Sequence, residues 1–106
     1  MSFVMALISI ESLRPHVLRL LAKVDPPAGV ELLSFKRDRR VAVFRLPEER
    51  YLLVEQGFTR QECSVDASGL SRLLKATIKR EFPRSHKVRV FKISSPEELI
   101  KTHPRK

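Results

Sequence analysis

Proline ends both stretches of this chain that have the periodicity of an amphipathic helix. The apolar positions of the first stretch recur at helical spacing and are Leu13, Val17, Leu20, Leu21 and Val24. Those of the second stretch are Leu70, Leu73, Leu74, Ile78 and Phe82. Pro26 and Pro27 follow the first stretch and Pro83 follows the second. Because proline lacks a backbone donor and disfavours helical geometry in the residue before it, both helices must be short.

Four runs rich in strand-forming residues lie between the two predicted helices. They span residues 30–36, 40–46, 50–56 and 59–65. Polar turns separate them, which predicts an antiparallel meander, and the polar fourth run is expected at a sheet edge. A further strand is predicted at 87–93. The apolar opening at 3–10 favours another strand, with an early helical turn as the alternative.

These elements predict an α+β fold made of one two-layer domain over residues 1–101, which suits a chain of 106 residues. We expect an antiparallel sheet of about five strands, with two main helices on one face and the other face free. If the two strands of one hairpin are left out, the predicted elements follow the order β-α-β-β-α-β. A ferredoxin-like order with an extra hairpin is therefore the favoured topology. If residues 3–10 are helical, the class is still α+β.

The C-terminal part of the chain has two further predicted features. Ser95 and Pro96 are suited to begin a short helix, as cap and first helical residue. Residues 102–106 are predicted to form a mobile basic tail.

Positive charge is concentrated in the last forty residues. Residues 1–66 carry 10 Lys+Arg against 9 Asp+Glu, whereas residues 67–106 carry 11 against 3, out of a net charge of +9. Such a concentration gives a protein an electrostatic face that attracts an anionic partner.

The second predicted helix carries part of this charge as a ridge. Arg72, Lys75 and Lys79 fall on one exposed side of a helical wheel, and no acidic residue lies four positions from any of them. Contact with phosphates or another polyanion would explain a bare basic ridge. An ordinary solvated helix face is the alternative.

The segment after this helix extends the charge through Arg84, Lys87 and Arg89. In a strand, Lys87, Arg89 and Phe91 share one face, so cations would lie beside an aromatic ring. That combination suits single-stranded nucleic acid. For Phe91 itself we favour the simpler interpretation, in which its side chain enters the core as the strand twists.

A secondary basic patch surrounds Asp38 at a predicted hairpin tip. It consists of Lys36, Arg37, Arg39 and Arg40. Such a tip could grip a phosphate backbone. The more usual role, which we favour, is a charged turn that keeps strand edges from pairing with other molecules.

The sequence predicts no catalytic, cofactor-binding or metal-binding residues, so we expect a protein that is not an enzyme. Cys63 could join His16 or His86 and Asp66 as nucleophile and base, but no family signature surrounds the cysteine. The isolated histidines lack metal-ligand spacing, and the three glycines form no phosphate-cradling loop.

A cytoplasmic location without membrane association is predicted. The single cysteine cannot form an intramolecular disulfide, the apolar opening is too short to span a bilayer, and no cationic segment precedes it. The absence of asparagine and the excess of arginine over lysine, 13 to 8, resemble thermophile composition.

We therefore expect a non-enzymatic module that binds nucleic acid or another polyanion through a basic helix and strand. The predicted binding residues are Arg72, Lys75, Lys79, Arg84, Lys87 and Arg89. The alternative is a protein-interaction or homo-oligomerisation domain, for example a homodimer that uses the edge strand near residues 59–65.

Overall fold

The computed structural model describes residues 5–34, 36 and 38–97. In it, each of the two predicted helices ends shortly before the proline that follows it. The elements in chain order are β1 (Met5–Ser9), α1 (Ile10–Lys23), β2 (Gly29–Leu33), β3 (Arg40–Leu46), β4 (Arg50–Gln56), β5 (Arg60–Asp66), α2 (Ala67–Glu81) and β6 (Lys87–Ile93). A 3-10 turn, Pro47–Glu49, joins β3 to β4. The α+β class and the strand at the beginning of the chain are confirmed.

The sheet has six antiparallel strands rather than about five, in the order β1-β6-β2-β3-β4-β5. Strands β2 to β5 form the predicted meander, with β5 at one edge. Strand β6 lies between β1 and β2 and pairs with both. Helix α1 therefore connects two strands that run in the same direction on either side of β6.

The ferredoxin-like strand order is not confirmed. In that topology the first strand lies inside the sheet, between the last strand and the third. Here β1 forms an edge, and α2 connects β5 at the far edge to β6. The difference arises because β6 inserts between the two strands that α1 connects. This pairing joins segments that are far apart in the sequence, and local sequence patterns do not specify it.

Both helices pack on one face of the sheet. Side chains from α1 and α2 share a buried cluster with alternate residues of the strands, such as Val41 and Val43 of β3. The opposite face is not free throughout, contrary to expectation. Ala42, Phe44 and Ile93 are buried there in a second, smaller apolar cluster.

The two helices begin differently. Helix α1 begins at Ile10, and Ser9 at its N-cap position makes no capping hydrogen bond through its side chain. Asp66 caps α2, with its Oδ1 accepting a hydrogen bond of 3.0 Å from the backbone nitrogen of Gly69. In the described part of the chain, neither helix has the length and apolar character needed to cross a bilayer.

Three predictions fall wholly or partly outside the described residues. Arg37 and the tail at 102–106 are among them. Of the short C-terminal helix, only its start at Pro96 and Glu97 is described, and both residues are helical.

Candidate polyanion-binding surface

Several loops meet at one end of the sheet, which we call the basic end. Strand β2 turns into β3 there, and β4 turns into β5. Strand β6 also begins there, since Lys87 lies opposite Ser9 at the end of β1. Helix α2 ends at the same place, because its last residue, Glu81, contacts the turn between β4 and β5.

A buried carboxylate on β4 fixes α2 to the sheet. The side chain of Glu55 is fully buried under the helix and accepts two hydrogen bonds of 2.8 Å from Arg80, through Nε and Nη2. Gln61 of β5 donates a third, also of 2.8 Å. The Arg80 guanidinium lowers the pKa of Glu55 to about 2, so this carboxylate stays ionised.

Glu81 fixes the β4–β5 turn to the end of α2. Its carboxyl group accepts hydrogen bonds from the backbone nitrogens of Phe58, at 2.8 Å, and Thr59, at 3.1 Å. Burial raises the pKa of Glu81, and the neighbouring Glu55 raises it further. A Cβ at Gly57 would collide with this carboxyl group, so the turn passes very close to the helix end.

The tip between β2 and β3 is closed by Ser34. Its hydroxyl donates to Asp38 at 2.8 Å and accepts from the backbone nitrogen of Arg39 at 3.2 Å. The hydrogen bond that Asp38 accepts from the Ser34 hydroxyl is the main cause that lowers the pKa of Asp38. The closed tip directs Arg39 towards α2.

Arg39 connects the tip to both other loops of the basic end. Its Nη1 donates to the backbone oxygen of Glu81 at 3.0 Å, which satisfies a carbonyl at the helix end. Its Cζ lies 3.7 Å from the centre of the Phe58 ring, in a cation–π contact. Neither of these two partners carries a charge, so they orient the guanidinium without neutralising it.

These loops surround a shallow hollow of about 500 Å³, which we call the basic hollow. Its walls are Lys36, Asp38, Arg39, Phe58, Pro83 and Arg84. Three of these residues are cations and one is an anion. Phe58 is 67% exposed, whereas Leu7, the other exposed large apolar side chain among the described residues, is 43% exposed.

The basic hollow joins two patches that are separate in the sequence. Arg84 belongs to the predicted primary surface, whereas Lys36 and Arg39 belong to the secondary patch. Lys87 and Arg89 begin β6 at the same end of the sheet. The side chain of Arg89 is half-buried on the face opposite the helices.

The predicted ridge leads away from the hollow along α2. Arg72, Lys75 and Lys79 are all exposed, on the side of the helix that faces away from the sheet. Arg72 lies nine residues before Glu81, which corresponds to about 14 Å along the helix axis. The ridge is thus an extension of the basic end rather than its centre.

Arg40 has a structural role that the sequence did not indicate. It lies on the face opposite the helices, where its Nη1 is 3.6 Å from Glu31 and its side chain is 12% exposed. It also donates to Gln56 on β4. Burial raises the pKa of Glu31, while Arg40 opposes that shift. Arg40 is therefore engaged within the sheet, and it is not part of the hollow.

The exposed aromatic residue of the site is Phe58, which sequence reasoning missed in favour of Phe91. Phe91 is half-buried on the face opposite the helices, and its neighbour Ile93 is buried. The available signal was the position of Phe58 in a three-residue turn after Gly57, where a large apolar side chain has little to pack against.

The residues considered for nucleophilic catalysis lie on different parts of the fold. Cys63 is half-buried on the edge strand β5, whereas His16 lies on α1, which packs over β1, β2 and β6. The carboxylate of Asp66 caps α2. Among residues 5–34, 36 and 38–97, no group of three metal-ligating side chains occurs.

Comparison of the chain with known protein families, curated proteins and solved structures gave no match. The function must therefore be argued from the geometry of the basic end.

Proposed function

We propose that this protein binds a polyanion, in particular a nucleic acid, at its basic end without catalysing a reaction. The observation that carries the proposal is the basic hollow, in which Lys36, Arg39 and Arg84 come together from separate loops. The ridge Arg72, Lys75 and Lys79 extends the contact along α2.

The charge balance of the hollow supports this proposal. Among the described residues that line it, three are cations and one is an acid, Asp38, so the charge of only one cation is offset. Grouped like charges repel one another, and such an arrangement is not expected from stability alone. A phosphate backbone would relieve the repulsion and gain from the release of its condensed counterions.

The fixed orientation of Arg39 also supports the proposal of polyanion binding. The guanidinium is held by a backbone oxygen and an aromatic ring, and so its side-chain entropy is lost before a ligand arrives. Arginine in a fixed orientation suits the planar geometry of phosphate oxygens.

The test is an anisotropy titration of a labelled oligonucleotide at several salt concentrations. We expect tight binding at low salt, with log K falling linearly against log salt. The double variant Lys36→Gln/Arg84→Gln should weaken binding at least tenfold and reduce the slope by about 0.7 for each lost phosphate contact to a single strand. Lack of binding by the unmodified protein at low salt would refute the proposal.

Lys23→Gln is the matched control, because it also removes one exposed cation. Lys23 ends α1, at the opposite end of the sheet from the hollow. The control should change the affinity by less than about twofold, as expected for a distant surface charge.

Self-assembly through β5 is a second candidate. Among the described residues, β5 pairs with β4 on one side and has no strand on the other. Antiparallel pairing with a second copy centred on Cys63 would place Arg60 opposite Asp66 of that copy, which is a favourable charge pair. Light scattering would detect the dimer, and Arg60→Glu should weaken it, because it would place two acids opposite each other.

A further inference from the structure

We infer that the ligand of the basic end is a single-stranded nucleic acid, one of whose bases stacks on the ring of Phe58. This inference rests on the proposed function and makes it more specific. The observation behind it is an exposed aromatic ring held between the cations of the hollow.

Phe58 lies among the cations of the hollow, and polyanion binding alone makes no use of its exposed ring. Phosphate groups gain little from an apolar ring, and an exposed phenylalanine forgoes the favourable burial of its side chain. A base has a flat apolar face and recovers that burial by stacking. Phe58 therefore distinguishes nucleic acids from polyanions that lack bases.

The ring is also held in place. The backbone nitrogen of Phe58 donates to the buried carboxyl group of Glu81, and Arg39 lies against one face of the ring at 3.7 Å. Arg39 thus orients the ring from one side. A base would stack on the ring surface that Arg39 leaves exposed.

The neighbouring cations suit the backbone of the same nucleotide. Lys36 and Arg84 line the hollow together with Phe58, so they can reach the phosphates that flank a base on the ring. Bases in a duplex are already stacked and paired, and they would have to be extruded to reach Phe58. Single strands present their bases without that cost, and we therefore expect them to bind more tightly than duplexes.

The sequence offers a direct test, because the chain contains no tryptophan. In Phe58→Trp, a single indole would replace the ring, and a base stacked on it would quench its fluorescence. We expect oligothymidylate to bind this variant at least as tightly as the unmodified protein and to quench it strongly. Tyr51→Trp is the control, since Tyr51 is half-buried on β4 near the opposite end, and it should not be quenched.

Phe58→Leu supplies the second measurement. Loss of one base stack should weaken oligothymidylate binding about fivefold to a hundredfold. The affinity for heparin, a polyanion without bases, should change less than twofold.

The outcomes separate this inference from the proposed function. If heparin and oligothymidylate both bind but Phe58→Leu affects neither, polyanion binding stands and base stacking is refuted. Binding without quenching in Phe58→Trp, or equal affinity for a duplex, refutes it in the same way. If neither polyanion binds, both proposals fail.

Discussion

Two arginines that flank the ends of β3 have the same structural role at opposite ends of the molecule, but their surroundings differ. Arg45 donates to the carbonyl oxygens of Leu21, Ala22 and Val24 at the end of α1, at 3.2, 3.3 and 3.0 Å. Arg39 donates to the carbonyl oxygen of Glu81 at the end of α2. Each places positive charge at the negative end of a helix dipole.

The residues around each arginine set the two ends apart. At the Arg45 end, the 3-10 turn carries Glu48 and Glu49, and Arg50 lies opposite Asp66 in the sheet. At the Arg39 end, the neighbours are Lys36, Arg84 and the exposed ring of Phe58. Helix capping accounts for both arginines but not for this excess of cations. The additional cations at the Arg39 end, rather than the two capping arginines, are the positive charges that need a functional explanation.

The largest expected effect concerns the anchor of the basic end. Arg80→Ala removes the partner of the fully buried Glu55, and we expect it to lower the free energy of unfolding by about 2 kcal/mol. This loss of stability is smaller than that expected when a fully buried ion pair is broken, because 38% of the Arg80 side chain is exposed. Urea denaturation measures it, with Lys79→Ala as the control from the exposed ridge, which should change stability by less than about 0.5 kcal/mol. Equal effects of the two variants would contradict the anchoring role.

A glycine at each end gives the next comparison. Gly57→Ala would force the buried Glu81 carboxyl group to move, and should destabilise the protein by about 1–2 kcal/mol. Gly69→Ala lies in the first turn of α2, where its Cβ would be 3.5 Å from Asp66 Oδ1 in ordinary contact. It should stabilise the protein by about 0.5–1 kcal/mol through helix propensity. Thermal denaturation of both variants checks the opposite signs.

The two capping arginines test the comparison most directly. Arg39→Ala and Arg45→Ala should each lower the free energy of unfolding by about 1 kcal/mol, because each removes a charged helix cap. We expect only Arg39→Ala to weaken oligonucleotide binding, by about threefold to tenfold, as one phosphate contact is lost. If Arg45→Ala weakened binding as much, the two ends would not differ in function.

The smallest expected effect is a pH dependence at the basic end. Burial raises the pKa of Glu81 above its usual 4.5, so the folded protein keeps a proton that the unfolded chain releases, and stability falls as the pH rises above about 4.5. The opposite contribution comes from Glu55, whose stabilisation is lost as the pH falls from about 4.5 towards about 2.

Glu81→Gln separates these two contributions. The amide oxygen can accept from only one of the two turn nitrogens, so some stability is lost at every pH. The side chain cannot ionise, however, so the decline in stability above about pH 4.5 should become shallower than in the unmodified protein. Urea denaturation at several pH values measures the slopes. An unchanged slope would mean that Glu81 is not the titrating group.

Local chemistry made much of the fold predictable, and long-range contacts account for the rest. The proline stops and the strand runs identified both helices and all six strand segments. The position of β6 between β1 and β2 was not predictable, because it depends on pairing between distant segments. The same holds for the engagement of Arg80 with Glu55, which lies 25 residues earlier.

The candidate site was predictable only in part for the same reason. Its charges were visible in the sequence as two patches, whereas their meeting at the end of α2 depends on the Arg39 and Glu81 contacts. Strand alternation drew attention to Phe91 as a possible stacking residue beside Lys87 and Arg89, although core packing was the favoured interpretation for it. The exposed ring is instead in a turn, where alternation has no predictive value.

The contact between Glu81 and the β4–β5 turn has a consequence for hydrogen exchange. Amide hydrogens in a surface turn normally exchange with solvent rapidly. Those of Phe58 and Thr59 are bonded to a fully buried carboxyl group, so they can exchange only when the end of α2 separates from the turn. Slow exchange at these two amides would thus report directly on how often the loops around the basic hollow come apart.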